Sequence, residues 1–441
     1  MNLAHALRLD SPSPLPIPIC FAGAGGKTTA LFQLARQLNT QVLVTATTHL
    51  GVWQVPLADR HIIASDPREI QLPAEGITLV TGEVENERTK PVSETVLNWL
   101  HEKAVKQAIP LLIEADGSRQ KPLKAPAEHE PPIPPFSEVV ILVAGLGAIG
   151  KPLTDDHVHR AELFSRISGL AHGGIITLQA VTGALTHPMG GLKNIPQGAR
   201  RIALLNQADT PELKSIGGEM ARGLLKHFES VIVGSLEQET FNTLERTAGI
   251  ILAAGKSTRF GSPKQLLDWK GKPFVRRVAE TALHSGLEPV VAVTGFHHAD
   301  VESCLRDLPV SVVHNPEYEQ GQSTSVRAGI QSLTPNIGAA VFLLADQPQI
   351  PVEVIRALVE THSNSLSPIL APLVLEERRA NPVLFDKVTF PDLLQLTGDT
   401  GGRAVFDKHR VEYLPWHDDI LLFDVDKPED YERLKSLASR E

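Results

Sequence analysis

The chain has 441 residues, with 42 Lys plus Arg against 51 Asp plus Glu, a formal net charge of −9. That balance argues against a general nucleic-acid binder, which needs a basic surface to neutralise phosphates. Hydrophobic residues at 42% and charged residues at 21% exclude wholesale disorder, and the length implies two or three domains. The two cysteines, Cys20 and Cys304, form neither a disulfide framework nor a zinc knuckle. The first residues lack a basic segment leading into a long apolar one, and no apolar run reaches the ~18–20 residues of a membrane span. The expectation is a cytoplasmic protein that engages neither membrane nor nucleic acid.

Strand-length apolar runs alternate with helix-length segments. In the first half they are QVLVT at 41–45, LLIEA at 111–115, VVILVAG at 139–145, GIITL at 174–178, RIALLN at 201–206 and VIVG at 231–234. In the second they are AGIILAAG at 248–255, PVVAVTG at 289–295, VSVVH at 310–314, AAVFLLAD at 339–346 and ILLFDVD at 420–426. Runs apolar on both faces suit strands buried between helix layers. Segment 31–38 places Leu31, Leu34, Ala35 and Leu38 on one helical face, and 352–359 does the same with Val352, Ile355 and Val359. The alternation predicts α/β architecture with mainly parallel sheets. Glycine-rich strand-to-helix turns at 22–29 and 253–261 open two such arrays. The expectation is therefore two tandem three-layer αβα domains, 1–245 and 246–441, joined through the polar stretch LEQETFNTLERT at 236–247.

In the first array, GAGGKTT at 23–29 follows an apolar stretch. A full phosphate-binding Walker loop needs glycine six residues before its lysine, and Phe21 stands there. What remains still has a phosphate-binding logic: backbone amides around Gly23, Gly25 and Gly26, Lys27 reaching phosphate oxygens, and Thr28 and Thr29 opening the helix, Thr28 as a Mg²⁺ ligand. LLIEADGS places Glu114 and Asp116 at a strand end, Asp116 as a second candidate metal ligand. NQAD at 206–209 is similar to the base-reading segment of GTPases, but Gln207 replaces the usual lysine, so guanine specificity does not follow; ATP or GTP are the candidate nucleotides. SRQKPLKAPAEHEPPIP at 118–134 is a proline-rich loop carrying Arg119, Lys121 and Lys124, suited to a phosphate or to wrapping a sheet edge. TDDHVHR at 154–160 sets His157 and His159 beside Asp155 and Asp156; a metal site is one reading, although helical residues two apart diverge.

In the second array, IILAAGKSTRFGSPKQ at 250–265 runs from a buried strand into a basic loop. A triphosphate needs close backbone approach, hence Gly255 and Gly261, and cations, hence Arg259 and Lys264. Asp346 ends a strand where α/β sheets bind ligands, and a hard carboxylate there suits Mg²⁺. Asp424 and Asp426 lie two residues apart, and Asp426 is the candidate second metal carboxylate.

LAAGKSTRFG, PKQLL, VTG, GQSTSVRAGI, LLADQP, NPVLF, LTGDTGGR and FDVDKPEDY together resemble the molybdopterin nucleotidyltransferase family over about 248–437. Of its branches, molybdenum cofactor cytidylyltransferase is the most similar. LAAG stands where the guanylyl branch carries LAGG. The resemblance implies a Rossmann-like fold of the nucleotide-diphospho-sugar-transferase type and a Mg²⁺-dependent transfer of CMP from CTP to the molybdopterin of molybdenum cofactor. It places Ala253, Ala254 and Gly255 around the nucleotide, Arg259 and Lys264 on the phosphates, and Thr294, Gly295, Ser323, Thr324 and Ser325 near base or ribose. Asp346 and Asp426 fall to the metal, and Asn381, Asp399 and Arg403 to the pterin phosphate. GAGGKTT, EADGSRQKPLKAPAEHEPPIP, GKPLTDDHVHR and LNQAD resemble the selenium-dependent hydroxylase accessory protein family over about 16–235. That implies a P-loop-like accessory module serving a molybdenum hydroxylase apo-enzyme. The alternatives are a guanylyl- or sugar-phosphate nucleotidyltransferase, or a nucleotide-switched cofactor chaperone.

Overall fold

The computed structural model describes residues 1–10, 18–257, 260–375 and 378–438. The chain divides into two compact α/β units, Met1–Leu244 and Glu245–Glu441.

The first unit is built on a parallel sheet. Its strands run, in spatial order, Arg60–Ile63, Ile77–Thr81, Val42–Ala46, Leu111–Glu114, Ile19–Gly23, Val139–Gly145, Arg200–Asn206 and Ser230–Ser235. The period-2 geometry of a strand divides the central one between two cores. Ile19 and Phe21 pack on one face with helices Leu3–Ala6 and Lys27–Gln37. Cys20 and Ala22 pack on the other with Glu94–Gln107, Ala161–Ser168, Leu178–Thr186 and Pro211–Leu224. Ile19–Gly23 pairs with Leu111–Glu114 on one side and Val139–Gly145 on the other. In the strand order it is the point where the winding direction reverses, the position at whose carboxyl end α/β sheets bind ligands.

The second unit repeats this logic with a mixed sheet. Val310–His314, Val290–Thr294, the Arg246–Ala253 part of strand Thr240–Ala253, and Ile337–Leu344 lie parallel. Val383–Asp386 then runs antiparallel between Ile337–Leu344 and Ile369–Val374, with Val411–Trp416 at the edge. Helices Phe274–His284, His298–Leu305 and Val352–Ser365 cover one face and Gln322–Gln331 the other. Among the described residues, no helix is long and apolar enough to cross a membrane.

Three expected elements differ. GIITL at 174–178 is no strand: Thr177 accepts a hydrogen bond from the Ala180 N–H and caps helix Leu178–Thr186. ILLFDVD at 420–426 is no strand either, because the Asp418 carboxylate caps Ile420 and starts a 3₁₀ turn, Asp419–Leu422, that buries Leu421. The polar segment 236–247, read as a linker, is strand from Thr240 onward.

Candidate functional site

In the second unit, an open cleft of about 870 Å³ lies at the carboxyl ends of Thr240–Ala253 and Ile337–Leu344. Its floor is Ala253, Ala254, Gly255 and Ala345. The loop that follows Gly255 is tied back on itself. Ser257, in the left-handed region at φ 53, accepts from the Lys264 N–H at 3.1 Å, and Gln265 Nε2 donates to the Gly255 carbonyl at 3.2 Å. These ties place the Lys264 ammonium 2.8 Å from Asp426 Oδ1 and 3.5 Å from Asp346 Oδ2. Burial pushes the Asp346 carboxyl up, while Lys264 pulls it back. Asp424, two residues before Asp426, accepts from Gln347 Nε2 at 2.7 Å. Two carboxylates from separate segments thus converge on one cation, a donor set that suits a divalent metal.

The other expected residues divide. Ser325 and Asp399 line the cleft, and Asp399 Oδ1 accepts from the Gln322 N–H at the start of helix Gln322–Gln331. Ser323 and Thr324 are buried and bond within the fold, to the carbonyls of Gly398 and Gly321. Thr294 bonds His298. A Cβ on Gly295 would lie 2.6 Å from the Ala254 carbonyl, so that glycine lets the first loop pack. Asn381, in a cis peptide with Pro382, and the exposed Arg403 do not line the cleft. Arg259 lies outside the described residues. Lys256 was not anticipated. It lines the cleft, pairs with Glu319 at 2.5 Å and sits 5.6 Å from the Tyr318 ring. Gly255 and Arg259 on either side of it are the expected phosphate contacts of LAAGKSTRFG, and nothing in the sequence separates Lys256 from a surface lysine on that loop.

Gly255 offers a sharp contrast with Gly23, Gly25 and Gly26 of the first unit. A Cβ there meets nothing within 4 Å, and its φ is not positive. The site is open space into which a ligand can come close to the backbone. Gly255→Val should therefore leave the melting temperature within about 2 °C of the parent and weaken the binding of a phosphate-bearing ligand in this cleft at least about tenfold. Unchanged binding, or a matching loss of stability, would contradict this.

In the first unit, the strand ends at Gly23 and helix Lys27–Gln37 begins after only three residues. Phe21, at the position where a longer loop would need glycine, is wholly buried strand core. Gly23, Gly25 and Gly26 all have positive φ. A Cβ would lie 2.5 Å from the Gly145 N at Gly25 and 2.6 Å from Asn206 Nδ2 at Gly26. Asn206 also donates to the Gly25 carbonyl at 2.6 Å. The first-turn N–H groups of Lys27, Thr28 and Thr29 have no acceptor inside the helix.

A chain of alternating charge runs beneath this loop. Lys27, 3% exposed, donates to the Gly23 carbonyl at 2.8 Å and lies 3.3 Å from Asp116 Oδ1. Asp116 Oδ2 meets Lys124 at 2.8 Å, Lys124 meets Glu130 at 2.8 Å, and Arg160 holds Glu130 with both nitrogens at 2.6 and 2.8 Å. Thr28 instead donates to Glu114 Oε2 at 2.6 Å and accepts from Gln54 at 2.8 Å. The structure thus puts Glu114, rather than Asp116, on Thr28; both acids were visible in LLIEADGS, and only their partners separate them. Burial pushes the Glu114 carboxyl up, against Lys27 and Thr28. Burial also pushes the Cys20 thiol up, which suits a core residue. Among the described residues, no group of three or more His, Cys, Asp or Glu could hold a metal, so His157 and His159 form no such centre.

The YqeC protein family matches residues 19–162, and the family described as MobA-like NTP transferase domain matches residues 249–413. YqeC of Escherichia coli (strain K12) is 32% identical over 243 residues, which span 50% of this chain and 88% of that protein. The purine catabolism protein PucB of Bacillus subtilis (strain 168) is 31% identical over 210 residues, 43% of this chain and 97% of PucB. The molybdenum cofactor cytidylyltransferase of Escherichia coli (strain K12) is 26% identical over 188 residues, 41% of this chain and 92% of that enzyme. By these matches the chain belongs to the YqeC family through its first half and to the MobA-like NTP transferases through its second, and it is a nucleotidyltransferase.

Proposed function

We propose that the second unit transfers CMP from CTP to molybdenum cofactor, releasing pyrophosphate, in the maturation of molybdenum hydroxylases. The observation that carries the reading is Lys264 held between Asp346 and Asp426 over the open floor at Gly255. The likeness to a molybdenum cofactor cytidylyltransferase supports the acceptor, and LAAG at 252–255 supports the base. The pterin's terminal phosphate is already an anionic nucleophile and needs no strong general base. One of its oxygens attacks the α-phosphorus of CTP in line, the α–β bond breaks, and pyrophosphate leaves with the electron pair. The residues of this chain position and neutralise: Lys264 and Lys256 face the triphosphate, and the Gly255 backbone allows close approach. Asp346 and Asp426 would hold Mg²⁺, which supplies further screening of phosphate charge. Asp399, in the cleft lining, is assigned to the pterin phosphate; Asn381 and Arg403 lie outside that lining and would meet only a part of the substrate that extends beyond it.

We infer for the first unit an accessory nucleotide-binding role toward the same hydroxylases, selenium-dependent ones included. Its loop amides with Lys27, Thr28 and Asp116 would take ATP or GTP. The lysine, anchored at the base of the loop by the Gly23 carbonyl and Asp116, supports this.

The test is pyrophosphate release by the full chain with Mg²⁺ and molybdenum cofactor, comparing CTP, GTP and ATP. CTP should exceed GTP by at least about tenfold. GTP preference would move the assignment to guanylyl transfer. No release with any nucleotide, in protein that still binds the cofactor, would favour a chaperone.

A further inference from the structure

On the first unit, a second cleft of about 570 Å³ is lined by four permanent cations: Arg119, Lys121, Arg160 and Arg166. We propose that this cleft binds the phosphate or diphosphate group of a small anionic ligand. Its carboxylates are Asp155 and Glu162, so its lining is net positive in a chain that carries −9. Asp155 is committed to the fold, since its Oδ1 accepts from the Ala161 N–H at 3.1 Å and caps helix Ala161–Ser168.

The cations fall into two kinds. Arg160 is fixed by its two-point pairing with Glu130, and Lys121 is tethered to the Asp156 carbonyl at 2.9 Å. Arg119 and Arg166 are exposed, and neither has a protein partner among the described residues. Two guanidinium forks at the rim of a cleft with fixed cations in its wall match the geometry of phosphate oxygens. His159 lines the same cleft. Burial, then the fields of Arg160, Lys124 and Arg119, bring its pKa down to about 4, so at neutral pH it is an uncharged imidazole that can still donate one hydrogen bond.

The backbone here is unusual as well. Arg119, Gln120 and Arg160 all hold positive φ, at 50°, 60° and 64°. Residues with a Cβ keep that conformation only where surrounding structure imposes it, and such positions cluster at ligand clamps. The segment is also joined to the glycine loop. The Gly25 N–H donates to the Lys121 carbonyl at 3.1 Å, and the Gly145 N–H to the Pro122 carbonyl at 2.8 Å. An anion drawn onto Arg119 and Lys121 would therefore bear directly on the loop at Gly25.

The test is calorimetric titration of the full chain with pyrophosphate and, separately, inorganic phosphate. It is run in a Lys264→Ala background, so that the transferase cleft contributes little. The parent should show saturable binding to at least one of the two. Arg119→Ala/Arg166→Ala should weaken it at least about tenfold with an unchanged melting temperature, and Arg119→Lys/Arg166→Lys should recover part of the loss. Binding to pyrophosphate alone would identify a diphosphate subsite; binding to both would identify a single-phosphate subsite. An identical isotherm in parent and double variant, absence of heat in the parent, or a loss confined to Lys27→Ala would each overturn the proposal.

Discussion

Asp346→Asn should lower pyrophosphate release by about 10²–10³-fold while the second unit melts no lower than the parent. The two halves of that expectation have different causes. The carboxylate lies 3.5 Å from Lys264, in the wall of the cleft where the proposed triphosphate would need its charge balanced. An amide of the same shape cannot supply its charge to a metal. Stability moves the other way. Burial pushes the Asp346 pKa above that of an unfolded chain. Folding therefore disfavours the ionised form at neutral pH, and the cost disappears as pH falls or when the charge is removed. Lys264 keeps its 2.8 Å contact with Asp426. A pyrophosphate-coupled assay beside a thermal melt checks both. Turnover within threefold of the parent would remove Asp346 from the catalytic machinery.

The second large effect is structural. Lys124→Met should destabilise the first unit by about 3–5 kcal/mol, because it leaves a buried carboxylate without one of its two cations. Lys124 and Asp116 are only 3% and 2% exposed along their side chains, so water cannot replace the lost partner. Adding Asp116→Asn should restore part of the loss, which is the signature of coupled neighbours. Hydrogen exchange in strands Ile19–Gly23 and Val139–Gly145 reads the unit directly; equal protection in variant and parent would refute the expectation. Glu130 adds a pH dependence. Burial works to raise its pKa, but hydrogen bonds from Arg160 and Lys124 outweigh that and bring it down to about 2. The depressed value means its contribution is present above the ordinary glutamate pKa, about 4.3, and is lost as pH falls from there toward 2.

What could be read in advance follows from burial. VVILVAG at 139–145 matches its strand because a strand covered by helices on both sides needs apolar residues at every position, and VSVVH at 310–314 matches a half-exposed edge strand through its β-branched run. Arg60–Ile63, Ile369–Val374, Val383–Asp386 and Val411–Trp416 escaped notice. Several lie at or near sheet edges and carry charged residues, proline or an aspartate, which weaken the apolar signal. In the cleft, the motif loops pointed to Lys264, Asp346 and Asp399. They could not separate residues that face the cleft from those that hold it up, such as Thr294, Gly295, Ser323 and Thr324. That distinction depends on which oxygen meets which carbonyl across about 75 residues of chain, as between Ser323 and Gly398.

The three-residue glycine loop owes its shape to distant parts of the polypeptide. Its contacts come from Lys121, Val143 and Asn206, the last 181 positions beyond Gly25. During synthesis the loop remains unfinished until Asn206 has left the ribosome, well after the segment 19–162 has emerged. A nascent chain at that earlier stage carries every residue of GAGGKTT but not the geometry, so the shape of the loop is deferred until its sheet is nearly whole. Loss or shortening of the region around Asn206 would silence the loop without altering a residue of it.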